Sequence, residues 1–270
     1  MERALGLMAG AGVLPGRAAE EATRQGWRVV AFAFEDAPGL HERCHAVIPS
    51  RIDNIQAVLE ELAARHVSAA LFVGKFWKDR VFAHVDSEAD QAARSLASGG
   101  LSDRALTEAV VATLGALGIE VLDQRRFLSP RMEAGALTTR GPTDEEWSEI
   151  RAGLTLARHL AVFGIGQTVV RARGVTVAVE AVEGTDATIR RATRLSGPGA
   201  VVVKAVAPSH DYRFDTPTVG PATIDAMADG GATALGVQRG NVLVVDREEV
   251  VRLAERAGIT VVCVDAPDCL

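Results

Sequence analysis

A chain of 270 residues corresponds to roughly 1.8 domains of typical size, so two modest domains are expected. Apolar residues make up 48% and charged residues 24%, a balance that can build cores and excludes a natively unfolded chain. The formal net charge of −6 and an aromatic content of 4% exclude general nucleic-acid binding, because the sign is wrong for wrapping phosphate and stacking platforms are scarce.

Cys44, Cys263 and Cys269 are odd in number and have no Cys-x-x-Cys spacing, so neither a disulfide framework nor a structural zinc site is expected, and a reducing cytoplasm fits. His45 follows Cys44, but sequence neighbours rarely form a working nucleophile and base. No signal peptide is read at the N-terminus, and no stretch approaches the ~20 apolar residues of a bilayer span.

Residues 5–9 predict a buried strand, Gly10-Ala11-Gly12 a tight turn, and Leu14, Ala18, Ala19 and Ala22 one face of a helix that Gly26 ends. Strands follow at 28–34 and 46–48, and Asn54 caps a helix whose Ile55, Val58, Leu59 and Leu62 share a face. Another buried strand at 69–73 ends in Gly74-Lys75; Ser102 then caps a helix to Leu117, and residues 119–122 form a strand. This alternation predicts an α/β fold with an open parallel sheet. Residues 123–141 have weak periodicity and contain Pro130, Gly135 and Gly141, which reads as a linker. Boundaries of 1–130 and 131–270 follow.

The second half opens on a capping box, Thr143 with Glu146. It continues as a hairpin around Arg173-Gly174, strands at 200–206, 242–245 and 260–264, and helices near 185–194, 221–228 and 247–256, predicting a mixed α+β domain.

Three segments carry chemistry. Gly10-Ala11-Gly12-x-x-Pro15 joins a strand to a helix, where amides can close on a phosphate, although the same glycines suit a plain tight turn. Glu35 and Asp36 end the second strand, where dinucleotide folds place a ribose-reading acid, but solvated loop charge is the favoured reading. Glu180 precedes Glu183-Gly184-Thr185-Asp186 at a helix start. There carboxylates could meet a divalent metal and a phosphate, or Thr185 and Asp186 could simply cap. The richest segment is Lys204 to Pro221, with His210, Asp211, Arg213 and Asp215 in a polar loop. Two cations suit a diphosphate and Asp215 could hold metal or activate water, whereas surface ion pairs would need no ligand.

Gly6-Leu-Met-Ala-Gly10-Ala-Gly12-x-Leu-Pro15, Ile165-Gly-Gln167, the run from Ala178 through Glu183-Gly-Thr-Asp186 to Arg191, and Arg213-x-Asp215-x-Pro217-Thr218-x-Gly220 resemble the LpxI-type UDP-2,3-diacylglucosamine pyrophosphatases of lipid A synthesis. The resemblance implies an N-terminal Rossmann-like domain and a C-terminal domain peculiar to the family. It implies Mg²⁺-dependent hydrolysis of a lipid-linked UDP-sugar to UMP and 2,3-diacylglucosamine 1-phosphate, by water attacking the α-phosphorus. Asp215 is the implied catalytic aspartate, with Asp186 and Asp215 as metal ligands. Gly10, Ala11, Gly12, Gln167, Gly184, Thr185, Lys204, Arg213, Thr216 and Thr218 are the implied substrate contacts. The implied setting is cytoplasmic, peripheral to the inner membrane, without nucleic acid and with homodimerisation left open. Two other classes stay open at this point: an NAD(P)-dependent oxidoreductase, weakened by Pro15, and a non-catalytic UDP-sugar or lipid-binding module.

Overall fold

A computed structural model describes residues 3–76, 103–128 and 137–265; Ser102, Pro130, Gly135 and Cys269 lie outside them. The chain divides into two compact units, Met1–Leu128 with Asp211–Asp215, and Ser129–His210 with Thr216–Leu270.

In the first unit, β1 (Arg3–Ala9), β2 (Trp27–Ala33), β3 (Ala46–Pro49), β4 (Ala69–Val73) and β5 (Glu120–Val121) form one sheet in the order β3-β2-β1-β4-β5. Every pairing is parallel. Helices α1 (Leu14–Arg24), α2 (Leu40–Arg43), α3 (Ile55–Ala64), α4 (Asp103–Ala116) and α5 (Arg125–Leu128) complete it. A parallel sheet covered on both faces explains why β1 is buried from Ala4 to Ala9 and reads as an unbroken apolar run rather than an alternating one. Asn54 caps α3 as expected, accepting from the Ala57 amide at 3.4 Å. The strand order reverses between β1 and β4, the position where open sheets of this kind place their ligands.

The second unit holds α6 (Asp144–Val162), the hairpin β6 (Thr168–Ala172) and β7 (Val175–Val179), α7 (Thr185–Ser196), β8 (Val201–Lys204), β9 (Thr218–Val219), α8 (Pro221–Gly230), β10 (Ala234–Gln238), β11 (Leu243–Val244), α9 (Arg247–Ala257) and β12 (Thr260–Val264). Its main sheet runs β12-β10-β8-β6-β7, and β9 pairs with β11 separately. The β12-β10-β8 half is parallel and the β8-β6-β7 half antiparallel, so the expected mixed α+β character is present. Arg173 and Gly174 have φ of 53° and 80°, the left-handed pair that a two-residue hairpin turn uses. The buried Glu149 of α6 clamps that turn, taking Arg171 Nε at 2.8 Å and the Gly174 amide.

The expected linker is partly built into the units. In α5, Phe127 and Leu128 are buried, and on the other side Thr138 Oγ1 accepts from the Val261 amide at 2.9 Å. Weak periodicity at 123–128 and 137–141 reflects short anchored pieces. Among the described residues no helix is long and apolar enough to cross a membrane.

The capping box forms. The Glu146 amide donates to Thr143 Oγ1 at 3.2 Å and the Thr143 amide to Glu146 Oε2 at 2.9 Å. Burial alone would raise the Glu146 carboxyl, but hydrogen bonds from Arg140 and Thr143 outweigh it and hold the group below its ordinary value. A depressed folded-state pKa contributes stability above the unfolded value that is lost as pH falls through the folded one. Glu146→Ala is therefore expected to lower the urea midpoint at neutral pH, by at least the ~1 kcal/mol of a lost cap, and the gap to the native protein should shrink as the pH falls below the ordinary carboxylate range. A gap that stays constant with pH would assign the loss to volume instead of charge.

Candidate active site

In the second unit a polar cluster sits where β8, β6 and the start of α7 meet. Lys204 ends β8, with a side chain only 6% exposed, and faces Glu180, 12% exposed, at 3.8 Å. Thr185 lies between them: its hydroxyl accepts from Lys204 Nζ at 2.7 Å and donates to Glu180 Oε1 at 2.8 Å. Thr168 Oγ1 adds a longer contact to Lys204 at 3.5 Å and lies 3.3 Å from Thr185 Oγ1. Glu180 Oε2 accepts the Gln167 amide at 3.3 Å. The antiparallel register sets Thr168 opposite Lys204, which is why two residues 36 apart in sequence share one site.

Thr185 and Asp186 do not cap α7. The N-cap is Gly184, with φ of 82° and no side-chain cap bond, a conformation that favours glycine. That corrects the capping alternative: Thr185 is spent on the Lys204–Glu180 pair, and Asp186 Oδ1 accepts from Thr223 Oγ1 of α8 at 3.3 Å. Glu183 is held apart, accepting from Thr188 Oγ1 at 3.2 Å and from Arg191.

Of the two cations read as suiting a diphosphate, Lys204 falls in the second unit and Arg213 in the first. With three donor directions taken by Thr185, Thr168 and Glu180, the Lys204 ammonium serves the buried cluster as it stands. Arg213 pairs with Asp211, Nη2 to Oδ2 at 2.7 Å and Nε to Oδ1 at 3.0 Å; a guanidinium carries five N–H donors, so this fork leaves others. Thr218 lies in β9 opposite Leu243. Thr216 is 7% exposed, and its Oγ1 is a buried hydroxyl with no hydrogen-bond partner among the described residues.

In the first unit the glycine turn is used differently from expectation. The amides of Gly10, Ala11 and Gly12 donate to Val73 O at 2.8 Å, Lys75 O at 2.9 Å and Asp36 O at 3.1 Å. These donors are therefore not presented to a phosphate, because the turn closes β1 onto the end of β4. A Cβ on Gly10 would stand 2.8 Å from Lys75 O, whereas one on Gly12 meets nothing within 4 Å, although Gly12 has φ of 102°. Gly10→Ala is expected to cost ~1–3 kcal/mol by overpacking, more than the ~1 kcal/mol of a strained φ in Gly12→Ala. Urea midpoints of the two variants check the order; the reverse order would mean that backbone conformation outweighs contact at this turn.

Asp215, although from the C-terminal half of the sequence, belongs to the first unit with the rest of Asp211–Asp215. It is exposed and follows a turn at Tyr212–Phe214. Among the described residues no three His, Cys, Asp or Glu side chains gather as a metal cage. Neither Cys44 nor Cys263 is set up as a nucleophile, since burial pushes Cys44 to about 11 against the opposing charge of Arg43 and also raises Cys263.

Glu180 was anticipated only as a carboxylate near the helix start, and Thr168, Thr223 and Phe214 not at all. Strand register and inter-helix contact, which carry no local sequence signal, bring them in.

Two family matches cover the chain: the LpxI N-terminal domain over residues 4–130 and the LpxI C-terminal domain over residues 133–262. The UDP-2,3-diacylglucosamine pyrophosphatase LpxI of Caulobacter vibrioides is 31% identical over 278 residues, spanning 97% of this chain and 98% of that protein. Among solved structures, the chain is similar to CobK precorrin-6A reductase at 13% identity and TM-score 0.36, over 100% of this chain and 90% of that one. It is also similar to N5-carboxyaminoimidazole synthetase from Staphylococcus aureus at 14% identity and TM-score 0.27, over 66% of this chain and only 40% of that one.

Proposed function

The chain belongs to the LpxI family, a hydrolase family, and from that membership we propose that it hydrolyses the diphosphate of UDP-2,3-diacylglucosamine to UMP and 2,3-diacylglucosamine 1-phosphate. The observation that carries this reading is the match of both LpxI domains, in order, to residues 4–130 and 133–262.

In the proposed reaction a water oxygen bonds to the α-phosphorus while the bond from that phosphorus to the bridging oxygen breaks. The water oxygen leaves in UMP, and the electron pair of the broken bond leaves with the sugar 1-phosphate. Asp215, an exposed carboxylate, would orient that water or bind metal. The Thr216 hydroxyl has no hydrogen-bond partner among the described residues and would donate to a substrate oxygen. The Lys204–Thr185–Glu180 cluster would hold the start of α7, keeping Gly184 and Asp186 in place beside it.

Magnesium is proposed as the cofactor, and the donor set fits it in one way. Mg²⁺ commonly takes one or two carboxylates and completes its shell with substrate phosphates and water. Asp186 of the second unit and Asp215 of the first are each hard carboxylates of the kind that such sharing uses. When bound, the ion would neutralise charge on the phosphoryl oxygens. We further propose that the reaction takes place at the cytoplasmic surface of the inner membrane, where a substrate with two acyl chains would reside.

The test is UMP release from UDP-2,3-diacylglucosamine dispersed in mixed micelles, with Mg²⁺ against EDTA and native protein against Asp215→Ala. Mg²⁺-dependent release that is lost in the folded variant is expected. Ligand-dependent thermal stabilisation without any UMP would instead support a binding module.

A further inference from the structure

We propose that Tyr212 and Phe214 are positioning residues, seating the Asp211–Asp215 segment on the first unit and thereby fixing where the Asp215 carboxylate stands. The inference rests on the assignment of Asp215 to the hydrolysis above. Neither residue is among those that carry the family resemblance.

The chain leaves the second unit after His210 and rejoins it at Thr216. So short a segment has no core of its own, and its place is set by what it touches. Tyr212 is 4% exposed. Its carbonyl accepts the Gln124 amide at 3.0 Å, and the Arg125 guanidinium lies 4.1 Å from its ring centroid. Arg125 is itself fixed by Asp123, Nη2 to Oδ2 at 2.6 Å. Phe214 stacks at 4.9 Å and 35° on Phe72, near the carboxyl end of β4. From Phe72 the rings continue to Phe76 at 6.5 Å, and from Phe76 to Phe34 at 5.9 Å, both packed on the sheet core. The Asp211–Arg213 fork closes the turn between the two anchors.

One residue beyond Phe214 the chain carries an exposed carboxylate. The ring contacts on either side of Arg213 limit where that carboxylate can stand. Misplacement of a reacting group by about 1 Å costs on the order of a hundredfold in rate, and two aromatic anchors are the means of preventing that here. Burial holds the Tyr212 phenol up at about 12, with the charges of Asp123 and Asp215 adding to it and Arg125 opposing.

Tyr212 is the single tyrosine of the chain, so phenolate absorbance reports the seat without reference to activity. At roughly pH 10.5 a free phenol is mostly ionised, and the native protein is expected to show little phenolate. Phe214→Ala, with the seat loosened, should show markedly more, and Phe214→Tyr is avoided in this arm because it adds a second phenol. In the activity arm, Phe214→Ala is expected to lower kcat by ~10–100-fold with KM nearly unchanged, and Phe214→Tyr, which keeps the ring, to restore most of it. A folded Phe214→Ala with native kcat, a loss confined to KM, or an equal loss in Phe214→Tyr would each overturn the proposal. Should Phe214→Ala fail to fold, Arg125→Met alters a side chain 47% exposed and removes the cation from the Tyr212 ring; native kcat in that variant would overturn it equally. If native protein releases no UMP, the hydrolase reading fails, whereas the phenolate arm still decides whether the seat exists.

Discussion

Glu180→Ala is expected to destabilise the second unit by about 3–5 kcal/mol, because it strands the Lys204 ammonium in a site almost closed to water. Lys204 Nζ is left with Thr185 and Thr168 alone, which solvate it but carry no charge. Lys204→Met should cost a similar amount by leaving Glu180 without its cation. The double variant Lys204→Met with Glu180→Leu removes both desolvation penalties at once and should recover much of the loss. Denaturant unfolding of the two single variants and the double measures the coupling. Additive losses would show that the two charges are held independently and that Thr185 is not a bridge between them. A double variant that is stable yet inactive would show that the pair is kept for what it positions at α7, and not for stability.

The cluster also shows which parts of the molecule were legible in the sequence. β1 and α1, the Asn54 cap, the Thr143–Glu146 box and the Arg173-Gly174 hairpin all announce themselves locally, since caps and two-residue turns depend on neighbours a few positions away. β10 gave no such signal. Its Ala-Leu-Gly-Val-Gln run is poor in β-branched residues because the strand is central and tightly covered: a Cβ on Gly236 would stand 2.8 Å from Ile150 Cγ2 of α6. Gln238 is buried there because its Oε1 accepts the Val206 amide at 2.9 Å, a demand set by the third dimension.

The same limit applies to the site. Lys204, Thr185 and Asp186 could be singled out from residue type and place at element ends, but their partners could not. Thr168 meets Lys204 through antiparallel register, and Thr223 meets Asp186 across two helices. The glycine turn misled for a related reason. Its spacing matches a phosphate cradle, yet its amides close the first unit on itself, and nothing in Gly10-Ala11-Gly12 distinguishes the two uses. The assignment of residues 211–215 to the first unit had no local signal either, because the sequence shows a polar loop and not the Arg125 guanidinium and Phe72 ring that receive Tyr212 and Phe214.

Asp215→Ala is expected to behave in the opposite way to Glu180→Ala, lowering kcat by ~10²–10⁴-fold while leaving the unfolding midpoint close to native. The contrast follows from burial. Glu180 is enclosed and neutralises a buried cation, so its loss is felt by the fold. Asp215 is exposed, and surface substitutions usually stay within about 0.5 kcal/mol. Two further variants separate charge from shape. Asp215→Asn keeps the volume and one acceptor oxygen but removes the charge, while Asp215→Glu keeps the charge and displaces it by about one methylene. If the carboxylate acts by its charge on water or metal, Asn should fall nearly as far as Ala. If it acts mainly as a hydrogen-bond acceptor, Asn should retain most of the rate. Loss in Glu comparable to that in Asn would show that position matters as much as charge, as the anchoring of this segment by Tyr212 and Phe214 requires. Native kcat in a folded Asp215→Ala would remove the residue from the chemistry and, with it, the functional meaning of its seat.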